Sequence, residues 1–146
     1  TLPLDTKRTD IELSPDILVQ SEETPRSDRH HSILIAEDVY ENYFLLETLF
    51  SKQYQLYHAL NGQEAIDMFE TYHPDLILMD IKMPVMDGFE ATRRIRTLSK
   101  TIPIIALTAF AFEREKEIAK QCEFTDYVVK PIDIKELKKL IAKVLA

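Results

Sequence analysis

After Ser32 the chain repeats one pattern: a short apolar run, a polar turn, then a longer stretch whose apolar residues recur every three or four positions. Apolar runs bounded by turn residues read as strands buried on both faces, and such strands occur where helices cover a parallel sheet. The pattern predicts strands over 33–36, 55–59, 76–79, 102–107 and 127–129, and helices over about 39–52, 62–72, 88–98, 111–122 and 134–145. The last helix is the clearest, because Ile134, Leu137, Leu140, Ile141 and Val144 form one apolar stripe. Pro103 is tolerable only among a strand's first residues, since it has no N–H to donate. Five βα units with right-handed crossovers predict an α/β, doubly wound, three-layer sandwich with parallel strand order 2-1-3-4-5.

Residues 1–31 break from this pattern. Pro3, Pro15 and Pro25, with Glu22-Glu23 and Ser27-Asp28, leave too few apolar residues for a core, so the segment reads as a linker. Ile11, Leu13, Ile17, Leu18 and Val19 are its one stretch able to dock, and His30-His31 reads as solvated linker and not as a metal site. The start at Thr1 is what a piece of a longer protein would show. Within the 146 residues, 45% are hydrophobic, enough for one globular domain. A net charge of -7 with no dense basic stretch argues against nucleic-acid binding by this chain. The single cysteine, Cys122, allows no internal disulfide and reads as a small buried apolar residue, which fits a reducing compartment. No apolar run approaches the roughly 18 to 20 residues of a membrane helix, and no secretory signal is visible. The expectation is a cytoplasmic module without direct membrane contact.

In a doubly wound sheet, ligands bind beyond the carboxyl ends of the strands, at the switch between strands 1 and 3. Here Glu37-Asp38 ends strand 1, Asp80 ends strand 3, Thr108 ends strand 4 and Lys130 ends strand 5. Singly, each has an ordinary explanation. Asp38 could cap the first helix, Asp80 could open a turn, Thr108 could bond backbone, and Lys130 could be solvated. Their convergence on one edge is harder to explain in that way. Crowded carboxylates repel one another, and a divalent cation resolves the conflict. With oxygen ligands only and no His or Cys nearby, Mg²⁺ is the expected ion. Asp38 and Asp80 are assigned as direct ligands, Glu37 as a ligand through water, and the backbone carbonyl of Lys82 as a further oxygen, the Lys82 side chain being solvated. The set suits a phosphoryl acceptor, with Asp80 as a carboxylate nucleophile that needs no general base.

These residues lie within Ile33-Leu34-Ile35-Ala36-Glu37-Asp38, Asn61-Gly62-Gln63-Glu64-Ala65, Met79-Asp80-Ile81-Lys82-Met83-Pro84-Val85-Met86-Asp87-Gly88, Leu107-Thr108-Ala109 and Asp126-Tyr127-Val128-Val129-Lys130-Pro131. Through these motifs, residues 32–146 resemble the response-regulator receiver domain. The resemblance implies a flavodoxin-like (βα)5 fold and phosphoryl transfer from a phosphohistidine-bearing kinase or phosphotransfer domain onto Asp80. It implies that Lys130 pairs with Asp80 and then with the phosphoryl oxygens, that Thr108 hydrogen-bonds one of them, and that Tyr127 is the switch aromatic. It also implies a self-limiting acyl phosphate, so the chain is a phosphoacceptor with autodephosphorylation more than a conventional enzyme. Tyr40, Tyr43 and Phe44 on helix 1, with Pro131-Ile132, are candidates for the donor's dock, though some must be core. Phe110 and Phe112 are either partner anchors on the output face or tucked under helix 4.

One position departs from the family, which usually has Gly after helix 4 where this chain has Glu123. The expectation is a different turn or a looser helix 4, since a left-handed Glu costs about 1 kcal/mol or more. The opening Thr1-Leu2-Pro3-Leu4 is similar to the end of a histidine kinase ATP-binding domain, so a receiver from a hybrid sensor histidine kinase is favoured, compatible with a membrane-anchored, dimeric parent. A stand-alone or DNA-binding response regulator is the alternative. A dehalogenase-type hydrolase would want an acid where Lys82 stands. A flavin binder would want a phosphate-holding loop where Glu37-Asp38 stands. A phosphorylation-independent binding module would not require the full site.

Overall fold

The computed structural model describes residues 31–109 and 113–146. Five parallel strands, β1 (Ser32–Ala36), β2 (Gln55–Ala59), β3 (Leu76–Asp80), β4 (Ile104–Thr108) and β5 (Asp126–Val129), lie in the order β2-β1-β3-β4-β5. The helices α1 (Tyr40–Phe50), α2 (Gly62–Tyr72), α3 (Gly88–Leu98), α4 (Glu113–Gln121) and α5 (Ile134–Leu145) alternate with them. This is the doubly wound sandwich the apolar pattern predicts.

The period-2 alternation of side chains divides the core into two layers. Ile33, Ile35, Leu76 and Leu78 pack with Tyr43, Leu46 and Phe50 of α1 and with Leu137 and Ile141 of α5. Leu34, Ala36, Ile77 and Met79 face the other way, against Ala65, Ile66 and Phe69 of α2 and Ala91 and Ile95 of α3. Because β1 and β3 are covered on both faces, they read as continuous apolar runs. Asp87 and Asp133 start α3 and α5 by accepting from the N–H groups of Glu90 and Glu136, and Asn61 does the same for α2 through Glu64.

The described boundaries differ from the sequence expectation by at most two residues, at the end of α1, which stops at Phe50, and at the start of β4, where a backbone donor accounts for the shift. β4 begins at Ile104 and not at 102: Pro103 has no N–H, and the N–H of Ile102 is taken by Ser99 Oγ at 3.2 Å. Thr108 closes β4 and Asp80 closes β3 as strand residues. The first two positions of the expected fourth helix, Ala111 and Phe112, lie outside the described residues, as does Phe110. Sheet bonding reaches back to His31, whose carbonyl accepts from Gln55 N–H at 2.9 Å.

Of the two departures expected at Glu123, the different turn does not occur. Glu123 holds φ 64°, the left-handed conformation a glycine would have taken. Its carbonyl accepts from Arg96 Nε at 2.9 Å, and Arg96 also donates to the carbonyls of Ser99 and Ile102. Arg96, 6% exposed, thus ties the end of α3 and the approach to β4 to the turn after α4. Cys122 beside it is buried as expected, and burial pushes its thiol pKa up.

Candidate functional site

The loop after β3 is drawn tightly against the strand end. The N–H of Gly88 donates to the Ile81 carbonyl at 2.8 Å, and a Cβ on Gly88 would stand 2.2 Å from the Asp80 carbonyl oxygen. Gly62 is equally confined, since its Cβ would lie 2.6 Å from the Met86 carbonyl that its N–H bonds. Both glycines of the chain therefore serve to close this loop beside Asp80.

Strand parity aims the site. Glu37, Asp80 and Lys130 continue the alternation of Ile35, Leu78 and Val128, so all three fall on the side of α1 and α5. Glu37 is 1% exposed and Asp80 6%, whereas Asp38 is open to solvent. One carboxylate oxygen from each of these three residues lies within 4.8 Å of the others. The Nζ of Lys130 reaches in from β5, 3.3 Å from Asp80 Oδ2 and 3.5 Å from Glu37 Oε1. Pairing of β5 with β4 holds it there, its N–H donating to the Thr108 carbonyl at 2.6 Å.

One ammonium group does not neutralise three carboxylates. Burial first, and the charge of Asp80 second, push the Glu37 pKa from 4.5 up to about 7, against the opposing pull of the Val39 N–H and Lys130. The Val39 N–H donates to Glu37 Oε2 at 3.1 Å. The ordinary explanation for Asp38 does not hold: the N-cap of α1 is Val39, without a side-chain cap, which leaves the Asp38 carboxylate for the cluster.

A cleft of about 930 Å³ opens over this cluster, lined by Asp38, Asp80, Lys82, Thr108 and Lys130. Every residue that the sequence suggested for the site is thus brought together except Tyr127, which stands on β5, 42% exposed. Asn42 and Arg114 also line the cleft, unforeseen from sequence, because their presence depends on how α1 and α4 lie and not on a strand end. Asp87, by contrast, is engaged as the cap of α3, with Oδ1 accepting from Glu90 N–H at 2.9 Å.

An acidic cleft with a buried central carboxylate and an ammonium group, at the switch point of a doubly wound sheet, has the make-up that uptake of a phosphoryl group requires. The model of the response regulator receiver domain matches residues 33–142, and the chain belongs to that family. It is a receiver domain of two-component phosphorelay signalling, and receiver domains interact with histidine kinase or phosphotransfer donors and bind Mg²⁺ in an acidic pocket. Sporulation initiation phosphotransferase F of Bacillus subtilis is 34% identical over 117 residues, covering 80% of this chain and 94% of that protein. Hybrid signal transduction histidine kinase I of Dictyostelium discoideum is 39% identical over 119 residues, 75% of this chain but 7% of the kinase. The receiver domain of a sensor histidine kinase from Pseudomonas aeruginosa, crystallised with a magnesium ion in its active-site cleft, superposes with a TM-score of 0.74 at 35% identity, covering 80% of this chain and 98% of that one. Among the described residues, no helix is long and apolar enough to cross a membrane.

Proposed function

We propose that Asp80 is the phosphoryl acceptor, that Asp38 and Asp80 hold Mg²⁺ directly with Glu37 through water and the Lys82 carbonyl, and that Lys130 and Thr108 complete the site. The observation that carries this reading is the burial of Asp80 at the end of a central strand, beside two further carboxylates and 3.3 Å from the Lys130 ammonium group. The donor set fits the ion: it is all oxygen, and Glu37 resists ionising in its absence. Mg²⁺ supplies charge neutralisation for the phosphoryl oxygens.

The chain's own residues do the rest. A carboxylate oxygen of Asp80 attacks phosphorus, the P–N bond of the donor phosphohistidine breaks, and the imidazole leaves with the electron pair. Lys130 exchanges its contact with Asp80 for one with a phosphoryl oxygen, and the Thr108 hydroxyl donates to another. Movement of Thr108 makes room for Tyr127 to turn inward, which alters the face of α4, β5 and α5. Water then hydrolyses the acyl phosphate, so the signal ends without a second protein.

Similarity to the Pseudomonas sensor kinase receiver and to the Dictyostelium hybrid kinase supports a hybrid sensor histidine kinase as the parent, with 1–31 as linker and 32–146 as the receiver. The module would then work on the cytoplasmic side of a parent that is itself membrane-anchored and dimeric. Intact mass after incubation with acetyl phosphate and Mg²⁺ tests the core of this reading. One added phosphoryl group is expected, absent in Asp80→Asn and after chelation of the metal. Addition that survives in Asp80→Asn would move the acceptor elsewhere.

A further inference from the structure

The backbone of Glu37 is gripped by β2 through both its N–H and its carbonyl. Its N–H donates to the Ala59 carbonyl at 3.0 Å, where the β1/β2 ladder ends. One more step of a parallel ladder would bring the N–H of Asn61 to the Glu37 carbonyl. At Asn61, however, the chain turns into α2, with that residue as its N-cap. The imidazole of His58 serves that oxygen, with Nε2 2.7 Å from the Glu37 carbonyl. A carbonyl only accepts, so the proton is on Nε2 and the histidine is the donor.

The ring is not free to swing away. It lies face to face with the ring of Tyr43 on α1, centroids 3.7 Å apart and planes within 1° of parallel. Tyr43 is in turn buried in the core beneath α1. His58 is thus held by one element, α1, while it fixes the exit of another, β1. The carbonyl that it holds belongs to the peptide joining Glu37 to Asp38, two of the three clustered carboxylates.

We propose that His58 is a positioning residue for the acidic cluster: its Nε2–H, locked by the Tyr43 ring, fixes the Glu37-Asp38 peptide so that both carboxylates converge with Asp80 on one divalent cation. This rests on the cation reading above. Outer partners that orient ligands are worth roughly 10- to 100-fold in metal affinity. A hydrogen bond to the ligand's own peptide belongs at the lower end.

His58→Phe keeps a ring for Tyr43 but has no N–H, and His58→Gln restores an amide donor near the position of Nε2. Mg²⁺ affinity is measured by calorimetry, and amide hydrogen exchange at Val39, which bonds Glu37 Oε2, is read in the metal-free protein. In His58→Phe, Mg²⁺ binding is expected to weaken roughly 10-fold and Val39 exchange to quicken, with a fall in the thermal midpoint from the buried carbonyl left without its donor, and His58→Gln is expected to recover part of all three. Unchanged affinity in His58→Phe overturns the positioning role, and so does a loss that His58→Gln shares in full. If the unsubstituted protein takes up no Mg²⁺, the cation reading itself falls and this inference with it, an outcome recognisable because it needs no substitution.

Discussion

Glu37 is the residue at which folding and chemistry conflict most openly. Burial and the neighbouring Asp80 charge raise its pKa from 4.5 to about 7, so the metal-free folded chain holds a proton there that the unfolded chain has released. Where the native state binds more protons, stability falls as pH rises. The contribution is therefore lost progressively between about pH 4.5 and about pH 7 and is level above that window. Urea denaturation of chelated protein across this range should show a falling midpoint. Glu37→Gln, which cannot ionise, should remove that part of the slope, and saturating Mg²⁺ should offset it by stabilising the ionised cluster. An identical slope in Glu37→Gln would assign the pH dependence to other groups.

Elements were legible wherever one apolar period ran without interruption. α2, α3 and α5 span the residues that the sequence pattern predicts, and Asn61, Asp87 and Asp133 cap their starts. Glu37, Asp38, Asp80, Thr108 and Lys130 were legible as a site because a doubly wound sheet gathers its strand ends. Arg96 and His58 were not, because both act on backbone carbonyls that only tertiary placement brings near. The turn after α4 differs from the sequence expectation for the same reason: Arg96 binds the carbonyl of a left-handed Glu123. That conformation costs a non-glycine residue about 1 kcal/mol or more. The exposed Glu123 carboxylate gives something back by facing the buried guanidinium, but an exposed charge of this kind contributes about 0 to 1 kcal/mol. Glu123→Gly should therefore raise the unfolding free energy read from urea denaturation by about 0.5 kcal/mol net, while Glu123→Gln, which keeps the strain and loses the charge, should be neutral or slightly destabilising. Stabilisation by Gln as well would mean that the charge and not the backbone is at fault.

At the scale of the whole molecule, the cleft opens beside α1, which leads directly out of the acidic cluster. Of the aromatic residues there, Tyr43 is committed to the core, whereas Tyr40 is 62% and Phe44 52% exposed, their rings stacked with centroids 6.0 Å apart. An exposed aromatic pair next to a charged site suits a helix of the donor protein, which would lay an apolar face on α1 and present its phosphohistidine to Asp80. Acetyl phosphate needs no such surface, so the two donors separate docking from chemistry. Tyr40→Ala should slow transfer from a phosphohistidine protein by about 10-fold, the loss of roughly 1.4 kcal/mol of contact, and leave the acetyl phosphate rate unchanged. Tyr43→Ala should instead lower stability by roughly 3 kcal/mol or more, as a cavity in the core does, and slow both donors together. Equal slowing of the two donors by Tyr40→Ala would place that residue's influence on the acidic cluster itself and remove α1 as the docking helix.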